Sequence, residues 1–166
     1  VVDWWSRDGG EVQHYMDQFS DRIREFQRAG VWERMEDARM RRFRYKRQID
    51  YEVANAVVDL ARERLDAGIV LEDLGGMSRL GSWKVENRRF NEWSYHRLEQ
   101  YITQKANPYD IPVQAVEPAY TSQDCSRCGS EETARDGIYF ECRACDYEQH
   151  ADANAAVNIA KRAASS

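Results

Sequence analysis

Four cysteines constrain this chain more than any other feature. They stand as two pairs, Cys125-x-x-Cys128 and Cys142-x-x-Cys145, with thirteen residues between the pairs. Tetrahedral zinc takes four soft thiolates, and each Cys-x-x-Cys turn supplies two of them. Gly129 follows the first pair and relaxes the backbone where a knuckle turns tightly. Ile138-Tyr139-Phe140-Glu141 reads as the strand entering the second knuckle. With Cys125, Cys128, Cys142 and Cys145 all engaged, no position is open for activated water, so the expected zinc is structural. Two redox dithiols are the alternative, but the spacing matches a ribbon. No cysteine is left over and no signal peptide is visible, which favours metal over disulfides. A ribbon too small for a core of its own is expected to be unfolded without metal.

The 166 residues fit one domain, or one domain with a small metal-stapled module. A hydrophobic share of 42% supports a core, and no apolar run approaches a membrane span. A cytoplasmic location is expected. The first residue is Val, so the chain is not expected to begin at an ordinary translation start. Net charge is -5, which by itself argues against nucleic acid. Locally, Arg34 to Arg47 holds seven basic residues against two acidic ones. Arg39, Arg41, Arg42, Arg44, Lys46 and Arg47 are therefore candidate phosphate contacts, and a solvated helix face is the alternative.

Val1–Trp5 reads as a strand, residues 6–10 as a turn and Glu11–Met16 as a second strand, giving an opening hairpin. From Asp17 to Asp66 the period is helical, with a break near Ala29-Gly30 and an end at Gly68. Phe19, Ile23 and Phe26 mark one apolar stripe, and Val53, Val57 and Leu60 another. Ile69–Leu74 reads as a buried strand presenting Glu72, Met77–Val85 as loop and Asn87–Lys105 as helix. Pro108–Asp110 reads as a turn, Ile111–Val116 as strand and Ala151–Ala164 as a last helix after the ribbon. The order predicts a mixed α/β domain with a zinc-bearing insertion. Trp93, Tyr95 and Tyr101 could stack bases, but their helical spacing points to core packing. His14, His96 and His150 do not cluster.

Glu72 alone marks the place where a buried strand meets water, and Asp152 alone can cap a helix. Taken together they have another meaning. Metal-dependent phosphodiester cleavage needs carboxylates converging on two Mg²⁺ ions, and strand ends and helix starts along one rim of a sheet bring acids together. Asn154 and Asn158 lie one turn apart on the face of the same helix.

These motifs resemble a known family. Thr121-Ser122-Gln123-Asp124-Cys125-Ser126-Arg127-Cys128-Gly129 resembles the zinc-ribbon entry of the TnpB (OrfB) proteins of insertion sequences, and Glu117-Pro118-Ala119-Tyr120 before it also fits. Cys142-Arg143-Ala144-Cys145 with Asp152-Ala153-Asn154-Ala155-Ala156-Val157-Asn158-Ile159 resembles that family's ribbon exit and third RuvC motif. Val70-Leu71-Glu72-Asp73-Leu74 resembles the second. The resemblance runs from about Arg39 to Ala164. It implies an RNase H-like (RuvC) α/β fold with an inserted four-cysteine zinc ribbon, and RNA-guided DNA cleavage related to type V CRISPR effectors. It also implies Mg²⁺ held by three acids, two of which map to Glu72 and Asp152, with DNA and a guide RNA as partners. The expected division is 1–118 partial RuvC domain, 119–150 ribbon and 151–166 final helix.

The sequence departs from the family at its start. No apolar strand bearing Asp and then Gly is present, and Asp3 is followed by Trp. The family's N-terminal guide- and target-binding region is likewise expected to be missing. The expectation is thus an N-terminally truncated relative, incomplete as a catalyst. The alternatives are a non-catalytic nucleic-acid-binding module and a remnant that keeps only its zinc-dependent fold.

Overall fold

The computed structural model describes residues 9–73, 85–117 and 120–164, with 85–94 through their backbone. The chain opens with two helices, α1 (Gly9–Arg28) and α2 (Trp32–Arg62). The hairpin of strands expected before Asp17 is corrected here: Gly9 to Met16 is helical. Val12, Met16, Phe19, Ile23 and Phe26, spaced four and three apart, are the half-buried apolar residues of α1. This is a helical stripe, which alternation within a six-residue window imitates. The strand expected over Val1–Trp5 lies outside the described residues, as does Asp3.

The break falls at Gly30. Gly30 N–H donates to the Gln27 carbonyl and Val31 N–H to that of Phe26. This paired closure, with Gly30 at φ 66°, ends a helix where only glycine is unstrained. The chain then doubles back. Tyr45 of α2 meets Tyr15 and Phe19 of α1 at ring-centroid distances of 5.5 and 6.0 Å.

α2 serves two neighbours. Met35 and Ala38 are buried in its first half, and Asp50, Ala54, Val58 and Ala61 in its second. The core stripe is thus displaced by one residue from Val53, Val57 and Leu60; of these, Val57 packs on the core cluster. The helix ends at Arg62 rather than Gly68. Asp66 then takes a left-handed conformation, and Gly68 passes close to Pro112, whose Cγ would lie 3.5 Å from an added Cβ.

Strand β1 (Ile69–Glu72), helix α3 (Val85–Ala106), a 3₁₀ turn at Asn107–Tyr109 and strand β2 (Val113–Val116) form a β–α–β unit. The strands pair in parallel, Ile69 with Val113 through Glu72 with Val116. Parallel pairing requires a crossover of this kind. Ala54, Val58, Ala61, Ile69, Ile102 and Ala106 form the main core. The loop expected over Met77–Val85 lies outside the described residues, except that Val85 opens α3.

The cysteine segment is a three-stranded antiparallel sheet of β3 (Thr133–Asp136), β4 (Tyr139–Cys142) and β5 (Tyr147–His150). Its own core is small: Cys125, Phe140, Cys142 and Ala151. β5 runs directly into α4 (Ala151–Ala164), with the bounds expected from sequence. α4 packs on β1 and β2 as well as on β4 and β5, and so joins the two sheets. Among the described residues no helix is long and apolar enough to cross a membrane.

Candidate functional site

The two cysteine turns face each other. Cys125 Sγ lies 3.8 Å from Cys145 Sγ, and Cys128 Sγ lies 3.6 Å from Cys142 Sγ. All four sulfurs fall within 4.8 Å of one another. Zn–S bonds of about 2.3 Å in a tetrahedron separate the sulfurs by about 3.8 Å, so the four residues fit zinc. The first knuckle closes through Gly129 N–H donating to the Cys125 carbonyl at 2.8 Å, with Gly129 at φ 77°. Burial opposes ionisation of Cys125, yet the backbone N–H groups of Cys128 and Arg127 and the neighbouring thiols draw its pKa down to about 7. Burial pushes the Cys142 thiol up, with the Cys125 and Cys128 thiols adding to it. Burial and the three other thiols push Cys145 up to about 12. Four sulfurs this close cannot all be anions without repelling one another, and a cation removes the conflict.

Glu72 ends β1, and its Oε1 accepts a hydrogen bond of 2.7 Å from the Thr121 hydroxyl. Asp152 stands in the first turn of α4, where the helix dipole favours a carboxylate. Its Oδ1 lies 3.4 Å from the Arg135 guanidinium, with Asp152 well exposed. The oxygen donors of Glu72 and Asp152 suit a hard divalent cation such as Mg²⁺. Among the described residues the cysteines alone form a group of three or more metal-capable side chains. Glu72 and Asp152 belong to no such group.

Asn154 and Asn158 share a face, as their spacing implies, and fasten α4 to the ribbon's entry. Asn154 is fully buried. Its Oδ1 accepts from Ser126 N–H at 2.8 Å and its Nδ2 donates to the Asp124 carbonyl at 2.9 Å. Asn158 Nδ2 donates to the carbonyls of Asp124 and Thr121, at 2.8 and 3.0 Å. A cavity of about 440 Å³ beside this junction is lined by Tyr120, Ser122, Gln123, Asp124, Glu131, Thr133 and Arg135.

The basic residues of α2 do not form one strip. Arg39, Arg41, Arg44 and Arg47 are exposed, whereas Arg42 and Lys46 are half-buried. Arg42 and Lys46 share the inward stripe with Asp50, at steps of four, and Arg41 and Arg44 face away from it. Burial lowers the Lys46 pKa; Asp50 works against this, and Arg97 and Arg42 reinforce it. Arg39 lies 3.7 Å from Glu36, and Arg47 Nε donates to the Tyr101 hydroxyl at 3.2 Å.

Sequence reasoning missed the seam between α2 and α3. Here Tyr101 meets Tyr51 edge-on at 5.8 Å, and Lys105 lies 3.6 Å from the Tyr51 ring centroid. Tyr101 packs against the core as expected, while Tyr95 is exposed; the Trp93 side chain lies outside the described residues.

Residues 95–159 match the family described as Cas12f1-like, TNB domain. The chain is 34% identical, over 92% of its length, to the CRISPR-associated endodeoxyribonuclease Cas12f1 of Sulfoacidibacillus thermotolerans. It is 32% identical, over 68% of its length, to a TnpB-like protein of Aquifex aeolicus. The chain belongs to the TnpB/Cas12f family. It spans 39% of the length of each of these two relatives. Its fold is that of the Cas12f1 chain in a Cas12f1–sgRNA–target DNA complex, with a TM-score of 0.74 at 22% identity, covering 96% of this chain and 44% of that one. The family match runs from within α3 through β2 and the ribbon into α4. In this TnpB/Cas12f chain, therefore, the cysteine cluster and Asp152 lie inside the matched region and Glu72 lies before it.

Proposed function

We propose that this chain is the RNase H-like (RuvC-type) and zinc-ribbon portion of an RNA-guided DNA nuclease, with residues 1–118 and 151–166 as the nuclease part and 119–150 as the ribbon. One observation carries the reading: Glu72 ends the first strand of a parallel β–α–β unit, and the helix whose first turn holds Asp152 packs across both strands. Cys125, Cys128, Cys142 and Cys145 would hold structural Zn²⁺ and keep the α4 N-terminus in place. Glu72 and Asp152 would hold Mg²⁺, which when bound supplies Lewis acidity at a phosphodiester. The side chains themselves position that cation: Thr121 orients Glu72, and the buried Asn154 fixes the start of α4 and with it Asp152. Partnership with DNA and a guide RNA is supported by the curated relative's name as an endodeoxyribonuclease and by the solved complex with sgRNA and target DNA. The outward-facing Arg41 and Arg44 are the best-placed phosphate contacts on α2.

Two acids of the three implied by the family give a chain that, as it stands, is expected to bind DNA rather than cut it. DNA affinity should fall steeply with salt, and Arg41→Ala with Arg44→Ala should flatten the log–log slope by about 2, near one unit per phosphate contact. A flat salt response in the unsubstituted chain would overturn the reading of this part as a nucleic-acid binder. With Mg²⁺ and DNA, cleavage should not exceed that of Asp152→Ala. Cleavage abolished by that substitution would instead mean that the ligand set is complete.

A further inference from the structure

Thr121 links the ribbon's entry both to the acid-bearing strand and to α4. It is 2% exposed. Its hydroxyl donates to Glu72 Oε1 at 2.7 Å across 49 residues of sequence, within the range of charge-assisted O–H···O⁻ bonds. Its carbonyl accepts from Asn158 Nδ2 of α4 at 3.0 Å. The backbone on its N-terminal side is constrained: Tyr120 has φ 62°, and its carbonyl accepts from the N–H groups of Gln123 and Asp124. The next turn leads into Cys125. A buried hydroxyl held between a strained turn and a helix has little rotational freedom, so it fixes the carboxylate that it touches.

We infer that Thr121 is a positioning residue for Glu72: it locks the rotamer in which this carboxylate meets a divalent cation, and it ties that rotamer to the ribbon. The inference rests on the reading of Glu72 as a metal ligand. Groups of this kind, which hold a ligand rather than the metal, typically change metal affinity by about 10- to 100-fold. Thr121→Val keeps the shape and removes the donor. Thr121→Ser keeps the donor.

The test is Mn²⁺ binding to the full chain followed by electron paramagnetic resonance, with zinc content and melting temperature measured on the same samples. Glu72→Gln should weaken Mn²⁺ binding strongly. Thr121→Val should weaken it by about tenfold with zinc content unchanged, and Thr121→Ser should bind as the unsubstituted chain does. If neither Glu72→Gln nor the unsubstituted chain differs from a protein that binds no Mn²⁺, the reading of Glu72 fails and the inference falls with it. If Glu72→Gln weakens binding and Thr121→Val does not, the metal reading stands and the positioning role is refuted. Should Thr121→Val lose zinc or melt early, Thr121→Ala, which removes the hydroxyl without placing a methyl there, takes its place. Loss of zinc in both variants would make Thr121 a structural residue and overturn the proposal.

Discussion

Asn154 shows how much one side chain can decide. Its carboxamide is fully buried and spends both ends on backbone, accepting from Ser126 N–H and donating to the Asp124 carbonyl. Alanine at this position would leave Ser126 N–H without that acceptor. An orphaned buried polar group costs about 1–3 kcal/mol, so Asn154→Ala should lower the unfolding free energy by that amount, measured by chemical denaturation of the zinc-loaded chain. Asn158→Ala should cost less, because the Asp124 carbonyl keeps its bond from Asn154 and the Thr121 carbonyl loses one donor, a smaller cost than an orphaned N–H. Equal losses would mean that the two amides do not divide their work in this way. Sequence placed both amides on one face of α4 but could not say that they hold a loop some thirty residues away, because nothing in the local period of a helix names its partner. Thr121 and Arg135 were invisible for the same reason. Each touches a sequence-predicted acid only through the fold.

At the scale of elements, α2 and α3 are joined by a polar bond inside an apolar interface. Arg97 Nε donates to Asp50 Oδ2 at 2.7 Å and its Nη2 reaches the same oxygen; the side chains are 16% and 10% exposed. Removing one partner strands the other charge, a change that typically costs about 3–5 kcal/mol. Asp50→Ala should therefore destabilise the chain by several times more than Asp59→Ala, which breaks an exposed pair with Arg62. Comparable losses in thermal or urea unfolding would show that the buried pair is screened after all. Most elements were legible before the structure. The helices over α2, α3 and α4 carry sustained 3.6-residue periods, and β1 and β2 are short apolar runs bounded by turn residues. Residues 11–16 misled because Val12 and Met16, four apart, fit alternation as well as a helix. Only the continuation to Phe19, Ile23 and Phe26 separates the two, and it places α1 against α2.

For the molecule as a whole, α4 is the shared element. Its N-terminal turn is seated by the ribbon through Ala151 N–H, which donates to the Ile138 carbonyl at 2.8 Å, while its body lies on β1 and β2. The two sheets also have unequal means of holding themselves together. The two-stranded sheet packs Ile69 with Ile102 and with the alanines and Val58 of α2. The three-stranded ribbon sheet has one buried aromatic residue and four thiols, too little apolar surface to order itself without a cross-link. Stripping the proposed zinc should thus not melt the molecule uniformly. With a chelator, amide exchange should accelerate over residues 120–150 and at the start of α4, while Ala54–Ala61 and Ile102–Ala106 stay protected. Acid should mimic the chelator, because protons compete with the metal for thiolates and affinity falls as pH falls. If exchange instead rises in α2 and α3 together with the ribbon, the sheets form one cooperative unit. Zinc would then support Glu72 through the whole core, and not through the junction at Thr121 and Asn158 alone.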